Sequence, residues 1–178
     1  MRLFIAINFE EYIKEKIQDI IKDFKDYSIE GKFVNKEHMH LTLEFLGDVP
    51  LDKVEMVKAA MDKISIEPFS LQFSKVGYFK RSEGNIYWIG IKKNEIFLKM
   101  QNNLHNILIQ EGFKLEDREY KPHLTIGRKV KMKERYDSFD RTKYVNEIST
   151  EVNKIDLMKS ETIKGKLVHS IVYSRRFV

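Results

Sequence analysis

Two four-residue segments of the chain share a pattern that suits acid–base chemistry. His40-Leu41-Thr42-Leu43 and His123-Leu124-Thr125-Ile126 each place a histidine two residues before a threonine, with apolar residues between and after them. On a β-strand, residues i and i+2 face the same side, so histidine and threonine share one face and the apolar residues pack behind it. The repeat therefore predicts two strands that each present an imidazole and a hydroxyl to one polar cleft.

Such a pair of strands suits displacement at phosphorus. Imidazole titrates near pH 6.5, at about the physiological range, so one histidine can take a proton from the incoming oxygen while the other gives one to the leaving oxygen. The hydroxyls of Thr42 and Thr125 can hold the non-bridging oxygens. This chemistry needs no metal and no cofactor, and we expect neither.

The histidines also allow an alternative, a zinc site. His38 and His40 are two residues apart and, with His123, would supply three imidazoles. A zinc site leaves the duplicated threonines without a role, so phosphate chemistry is the preferred interpretation. The other two histidines are assigned elsewhere: His105 to the polar surface of a helix and His169 to a structural position.

The composition is that of a globular protein with a single core. The 178 residues are 42% hydrophobic and 33% charged, and no segment approaches the roughly 18 apolar residues of a membrane helix. A net charge of +5 favours an anionic partner such as nucleic acid, although 32 basic and 27 acidic residues also fit a solvated mixed-charge surface. Without cysteine, disulfides, thiolate nucleophiles and cysteine-based metal sites are excluded. We expect a monomeric, cytoplasmic protein that does not bind membranes.

Hydrophobic periodicity predicts the elements that position the motifs. Apolar spacing indicates three helices, over Tyr12–Phe24, Leu51–Ile64 and Ile96–Leu108. Strands are predicted at Arg2–Asn8, Lys32–Val34, His40–Leu46, Phe69–Phe79, Ile86–Ile91, His123–Arg128, Ile155–Met158 and Leu167–Tyr173. The charged segment Lys129–Lys143 is predicted to be a short helix or a loop. The sum is an α+β fold in one bilobed domain, residues 1–178.

The motifs and their surroundings resemble the 2H phosphoesterase superfamily. The similarity covers nearly the whole chain and lies in Arg2-Leu3-Phe4-Ile5-Ala6-Ile7, His40-Leu41-Thr42-Leu43-Glu44-Phe45-Leu46-Gly47, Pro122-His123-Leu124-Thr125-Ile126-Gly127-Arg128 and Leu157-Met158-Lys159-Ser160. Within the superfamily the chain is most similar to the RNA 2′,3′-cyclic phosphodiesterases, also called 2′-5′ RNA ligases. The resemblance implies two pseudo-symmetric antiparallel sheet lobes with helices outside and a central cleft.

The resemblance also implies an activity. An enzyme of this kind hydrolyses a 2′,3′-cyclic phosphate at an RNA end, tRNA fragments included, to a 2′-phosphate, and it forms a 2′-5′ linkage when a 5′-hydroxyl replaces water as the attacking group. It implies His40 as the acid on the leaving oxygen and His123 as the base on water. Two rival functions remain open: a phosphodiesterase acting on 2′-5′ oligonucleotides or cyclic nucleotide phosphates, and a non-catalytic RNA- or nucleotide-binding protein.

Several residues near the motifs are candidates for substrate contacts. Arg128 faces away from His123 by strand alternation unless the chain bends at Gly127, whereas the resemblance favours a phosphate-facing role. Phe45 sits where the family offers an aromatic side chain near the base, but alternation assigns it to the core.

Charged and aromatic residues outside the motifs have both a functional and a structural interpretation. Arg118 and Lys121 precede the second motif and would contact the RNA backbone or be solvated. Tyr87 and Trp88 lie in an apolar strand, where core packing is preferred over a platform for base stacking.

Overall fold

The computed structural model describes residues 1–133 and 145–178 and has the predicted α+β architecture. Its strands are β1 (Arg2–Asn8), β2 (Ser28–Phe33), β3 (His40–Asp48), β4 (Phe69–Phe79), β5 (Asn85–Ile91), β6 (His123–Met132), β7 (Ser149–Val152), β8 (Lys154–Ile163) and β9 (Lys166–Arg176). Its α-helices are α1 (Glu11–Asp26), α2 (Val54–Asp62) and α3 (Glu95–Gln110). None of these described helices is long and apolar enough to cross a membrane.

The strands form two antiparallel sheets, one in each lobe. One sheet has the order β3-β1-β8-β9 and the other the order β2-β6-β5-β4-β7. The first motif begins β3 at the edge of the four-stranded sheet, and the second begins β6 inside the five-stranded sheet. The predicted fold class is therefore confirmed, with one motif strand in each lobe.

The helices cover the buried faces of the sheets because each has one apolar side. In α1 the buried residues Ile13, Ile17, Ile21 and Phe24 recur every three or four positions, which matches one face of a helix. Asn94 begins α3 as its N-cap, where its side chain accepts a hydrogen bond from the Phe97 amide at 2.9 Å. The three predicted helices are thus confirmed, each within a few residues of its expected ends.

Two predictions for the C-terminal half were incomplete. β6 continues to Met132, so the interpretation of Lys129–Lys143 as a helix or loop is wrong for its first four residues, and the part from 134 onwards lies outside the described residues. The reason is that Val130 is buried between exposed lysines, which continues the alternation of a strand. In addition, β2 and β5 pair with this part of β6 from its two sides. The edge strand β7 was missed because four residues carry little periodicity.

Candidate active site

Both motif strands have the alternation that their sequences predict. Leu41 and Leu43 on β3 are 0% and 2% exposed, and Leu124 and Ile126 on β6 are 1% and 0% exposed. His40, Thr42, His123 and Thr125 are half-buried on the opposite faces. Each lobe therefore presents one imidazole and one hydroxyl away from its core.

The two strands approach each other between the lobes. Cα atoms of β3 and β6 come within 8 Å of one another. A side chain from the segment before β6 also joins them, because the Tyr120 hydroxyl donates a hydrogen bond to the Thr42 carbonyl oxygen at 2.8 Å. Burial raises the pKa of Tyr120, so the hydroxyl keeps its proton and remains a donor. The first motif is thus tied to the residues that lead into the second.

A β-bulge follows the threonine in the first motif. On β1, neighbouring Ile5 and Ala6 pair with Glu44 and Thr42, so Leu43 is an extra residue on β3. Leu43 and Glu44 are both buried as a result, and Phe45 is 59% exposed. The expectation that Phe45 packs in the core is therefore wrong, because the bulge reverses the alternation that assigned it there.

A matching bulge follows the threonine in the second motif. On β5, neighbouring Tyr87 and Trp88 pair with Gly127 and Thr125, so Ile126 is the extra residue on β6. A Cβ on Gly127 would meet the side chains of Val130 and Phe33 at about 3 Å, which places that residue on the core side. Arg128 then emerges exposed, on the face that carries Thr125. This is the bend that a phosphate-facing Arg128 requires.

His40 is enclosed by aromatic rings. Its ring centroid lies 4.8 Å from that of Phe4 and 5.4 Å from that of His169, a residue of β9. Burial, assisted by the nearby charges of His169, His38 and Lys14, lowers the pKa of His40 to about 4. In the free protein His40 is consequently neutral at pH 7.

The depressed pKa makes folding stability depend on pH in a defined window. In the unfolded chain His40 takes a proton near pH 6.5, whereas the folded protein resists protonation until about pH 4, so stability falls as the pH drops through this range. We expect a loss of about 3 kcal/mol across the window from this group. Urea unfolding of wild type and His40→Gln at pH 7 and pH 4.5 measures it: the variant should lose less stability than wild type, and equal losses would contradict the expectation.

His123 has a different environment, which fixes its tautomer. Its Nδ1 donates a hydrogen bond to the carbonyl oxygen of Lys121 at 2.7 Å. That bond leaves Nε2 as the ring atom that can accept a proton from a substrate or water. His123 is therefore oriented by the backbone of its own approach segment.

Aromatic rings also surround His123. The Phe79 ring stands edge-on at 5.4 Å, and the Trp88 indole lies 6.5 Å away. Trp88 lies across Gly77, where an added Cβ would come within 2.3 Å of the indole, so only glycine allows this placement. Trp88 is half-buried beside the candidate site rather than enclosed in the core, whereas its neighbour Tyr87 is 5% exposed, in the core as expected.

The remaining histidines have neighbours that strand and helix periodicity does not predict. His38 ends a short 3-10 turn before β3, and its Nδ1 lies 3.4 Å from Nδ1 of His169 rather than beside His123. No group of three or more potential metal ligands occurs within residues 1–133 and 145–178. His105 is half-buried, 2.9 Å from Glu44, a carboxyl whose pKa burial raises. Strand periodicity does not indicate that His169 on β9 lies near His40 on β3, because the two strands are not adjacent in the sheet.

The two basic residues before the second motif are both exposed. Arg118 forms an ion pair with Glu116 at 2.6 Å, which fits the solvated interpretation. Lys121 makes no side-chain ion pair with a described residue, and its backbone holds His123. The structure thus connects Lys121, but not Arg118, to a motif histidine.

Comparison with known proteins identifies the family. The family model described as the 2′-5′ RNA ligase superfamily matches residues 12–163, and the chain belongs to this family. A relative from Methanocaldococcus jannaschii, named RNA 2′,3′-cyclic phosphodiesterase, is 36% identical over 97% of this chain and 98% of its own length. A protein of the same name from Thermotoga maritima is 28% identical over 99% of this chain and 96% of its own. The predicted family, and with it the prediction of an enzyme, are confirmed.

Solved structures confirm the fold. E. coli LigT complexed with 3′-AMP superposes with a TM-score of 0.82 at 23% identity, covering 99% of this chain and 97% of that one. The protein TT0787 of Thermus thermophilus gives a TM-score of 0.80 at 20% identity, with the same coverage of both chains. The arrangement of the two sheets is therefore the one found in LigT.

Proposed function

We propose that this protein hydrolyses the 2′,3′-cyclic phosphate at RNA ends to a 2′-phosphate by two-histidine acid–base catalysis. The observation that carries the proposal is the placement of equivalent His-x-Thr faces on two strands that meet between the lobes. The names of the relatives support the same substrate, since they are RNA 2′,3′-cyclic phosphodiesterases. The net charge of +5 suits an anionic polymer.

In the proposed reaction each lobe serves one side of the phosphorus atom. The Nδ1–H of His123 donates a hydrogen bond to the Lys121 carbonyl oxygen, so its Nε2 takes a proton from the attacking water. His40 gives a proton to the 3′ oxygen as its bond to phosphorus breaks, which leaves the phosphate on the 2′ oxygen. Thr42 and Thr125 donate hydrogen bonds to the non-bridging oxygens, and Arg128 adds a positive charge near them.

The environment of His40 sets a condition on its role as the acid. Because its pKa is about 4 in the free protein, His40 is protonated at pH 7 only when a negative charge lies beside it. The phosphate of the substrate supplies that charge. A proton NMR titration of the His40 ring, with and without a nucleoside 2′-phosphate, should show its pKa rising when the ligand binds.

The proposed activity is tested by product analysis. Purified protein is incubated in EDTA with a short RNA ending in a 2′,3′-cyclic phosphate, and phosphorus NMR distinguishes 2′- from 3′-phosphate. We expect complete conversion to the 2′-phosphate with the chelator present. Absence of turnover, or a 3′-phosphate product, would overturn the proposal.

The same assay separates the rival functions. A 2′-5′ oligoadenylate and a 2′,3′-cyclic mononucleotide are run beside the RNA, and faster cleavage of either would assign the site to that substrate. Adding an RNA with a free 5′-hydroxyl tests ligation, which should yield a 2′-5′ linkage when that hydroxyl replaces water. Binding without turnover would favour the non-catalytic alternative.

A further inference from the structure

A cavity of about 340 Å³ is lined by Pro122, the residue directly before His123, and no part of the proposed reaction uses it. It lies between the end of β5, the start of α3 and the last residues before β6. Trp88 and Pro122 provide flat apolar surfaces in its lining, and Lys75, Lys92, Lys93 and Lys121 provide charge. No acidic residue is among the described residues that line it.

The cavity and the second motif share one face of the five-stranded sheet. Gly90 pairs with His123, and Trp88 pairs with Thr125, so these four residues point to the same side. Trp88 lies with its ring over Gly77 and lines the cavity. A ligand stacked on the indole would therefore lie next to the phosphate between the motif threonines.

Hydrogen bonding does not explain a tryptophan at this position. The indole Nε1 is buried and has no hydrogen-bond partner among the described residues, which is unfavourable for stability. What the residue offers is its broad aromatic surface, which Phe79 supports at 5.5 Å. Any nucleobase can stack on such a surface, because every base has a flat aromatic face.

The lysines suit a phosphodiester backbone. Lys93 forms an ion pair with Glu95 at 3.0 Å, whereas the side chains of Lys75, Lys92 and Lys121 have no ion-pair partner among the described residues. The cavity therefore offers an aromatic surface for a base and unpaired lysines for a phosphate, which together suit one nucleotide. A mononucleotide whose phosphate lies between the motifs has no second phosphate to place here.

We infer that this cavity binds the nucleotide on the 5′ side of the cyclic-phosphate terminus, with its base on Trp88 and its phosphate near Lys75 and Lys92. The inference rests on the proposed function and deepens it, because it makes an oligonucleotide the preferred substrate over a cyclic mononucleotide. Base stacking typically corresponds to a preference of roughly 5- to 150-fold, and we expect about tenfold, near the lower end of that range.

The sole tryptophan of the chain makes the site directly observable. Wild-type protein is titrated with a nucleoside 2′-phosphate and with a dinucleotide ending in a 2′-phosphate, neither of which can be turned over by hydrolysis. We expect the dinucleotide to quench the fluorescence and to bind about tenfold more tightly. Equal affinities, or no quenching by the dinucleotide, would overturn the inference.

Variants separate stacking from charge. The preference is measured as the ratio of KM for a 2′,3′-cyclic mononucleotide to KM for a dinucleotide ending in a 2′,3′-cyclic phosphate. Trp88→Phe should keep most of the wild-type ratio, and Trp88→Ala should lose it. The dinucleotide affinity falls as salt rises, and Lys92→Ala should make this dependence weaker. The negative slope of log affinity against log salt should become less steep by about 0.7, as expected for one lost contact to a single strand. Lys22→Ala, an exposed lysine on α1, is the matched charge control and should leave the slope unchanged.

The two proposals fail in different ways. Hydrolysis of cyclic-phosphate ends with no preference for a dinucleotide would overturn the second-nucleotide site and leave the proposed function standing. Dinucleotide-specific quenching without any hydrolysis would overturn the proposed function and leave the binding site standing.

Discussion

Replacement of either motif histidine with alanine should lower kcat on RNA ending in a 2′,3′-cyclic phosphate by at least about 10²- to 10⁴-fold. This is the range that a positioned general acid or base contributes, and each histidine is proposed to serve one of the two transferred protons. Steady-state rates of wild type, His40→Ala and His123→Ala, measured in EDTA with the product analysis described above, check the expectation.

The double variant and a matched histidine variant sharpen that test. If the two histidines act on the same reaction, His40→Ala combined with His123→Ala should be little slower than the slower single variant. His105→Gln removes a half-buried histidine of α3 while retaining a donor for Glu44, and it should keep most of the activity. Activity close to wild type in either motif variant would contradict the two-histidine mechanism.

Replacement of Asp156 with alanine should reduce the free energy of unfolding by about 3 kcal/mol. This carboxylate on β8 is 0% exposed and accepts hydrogen bonds from Asn8 at 2.7 Å, Ser174 at 2.5 Å and Lys154 at 3.1 Å. Truncation leaves these three donors without their acceptor. Thermal unfolding should show a midpoint lower by about 10 °C.

Controls for Asp156 separate the buried network from ordinary charge loss. Asp156→Asn keeps an acceptor oxygen and should lose less stability than Asp156→Ala. Glu30→Ala breaks an ion pair with Lys131 whose two side chains are more than half exposed, and it should change stability little because solvent screens such pairs. An alanine variant as stable as wild type would contradict a structural role for the network.

Much of the fold and the centre of the candidate site follow from periodicity. Apolar residues at Leu41, Leu43, Leu124 and Ile126 predict which side of each motif strand is buried, and those four residues are buried. The helices follow because each needs one apolar side, as α1 shows. Strand alternation and helical periodicity are local properties, so a single sequence contains them.

The parts that were missed depend on contacts between elements. Alternation assigns Phe45 to the core because it contains no information about the extra residue that a bulge inserts at Leu43. Without a threonine partner His169 is assigned a structural position, and no local pattern indicates that β9 brings its ring centroid to 5.4 Å from that of His40. Trp88 reads as a core residue in an apolar strand, and its place beside His123 requires the pairing of β5 with β6.

The pseudo-symmetry of the motifs extends beyond their sequences. In both strands a bulge inserts one residue directly after the threonine, and the residue three positions beyond that threonine then returns to the open face. That residue is the aromatic Phe45 in one lobe and the basic Arg128 in the other. The two motif strands thus present equivalent histidines and threonines. Beyond the bulge they differ, because Phe45 suits contact with a base and Arg128 suits contact with a phosphate.

A crystal structure of the protein with a dinucleotide 2′-phosphate tests most directly whether both histidines serve a single phosphate. We expect Nε2 of His40 and Nε2 of His123 each to lie about 3 Å from oxygens of that phosphate, on opposite sides of the phosphorus atom. Two imidazoles more than about 10 Å apart, or a phosphate held by only one of them, would contradict the shared site.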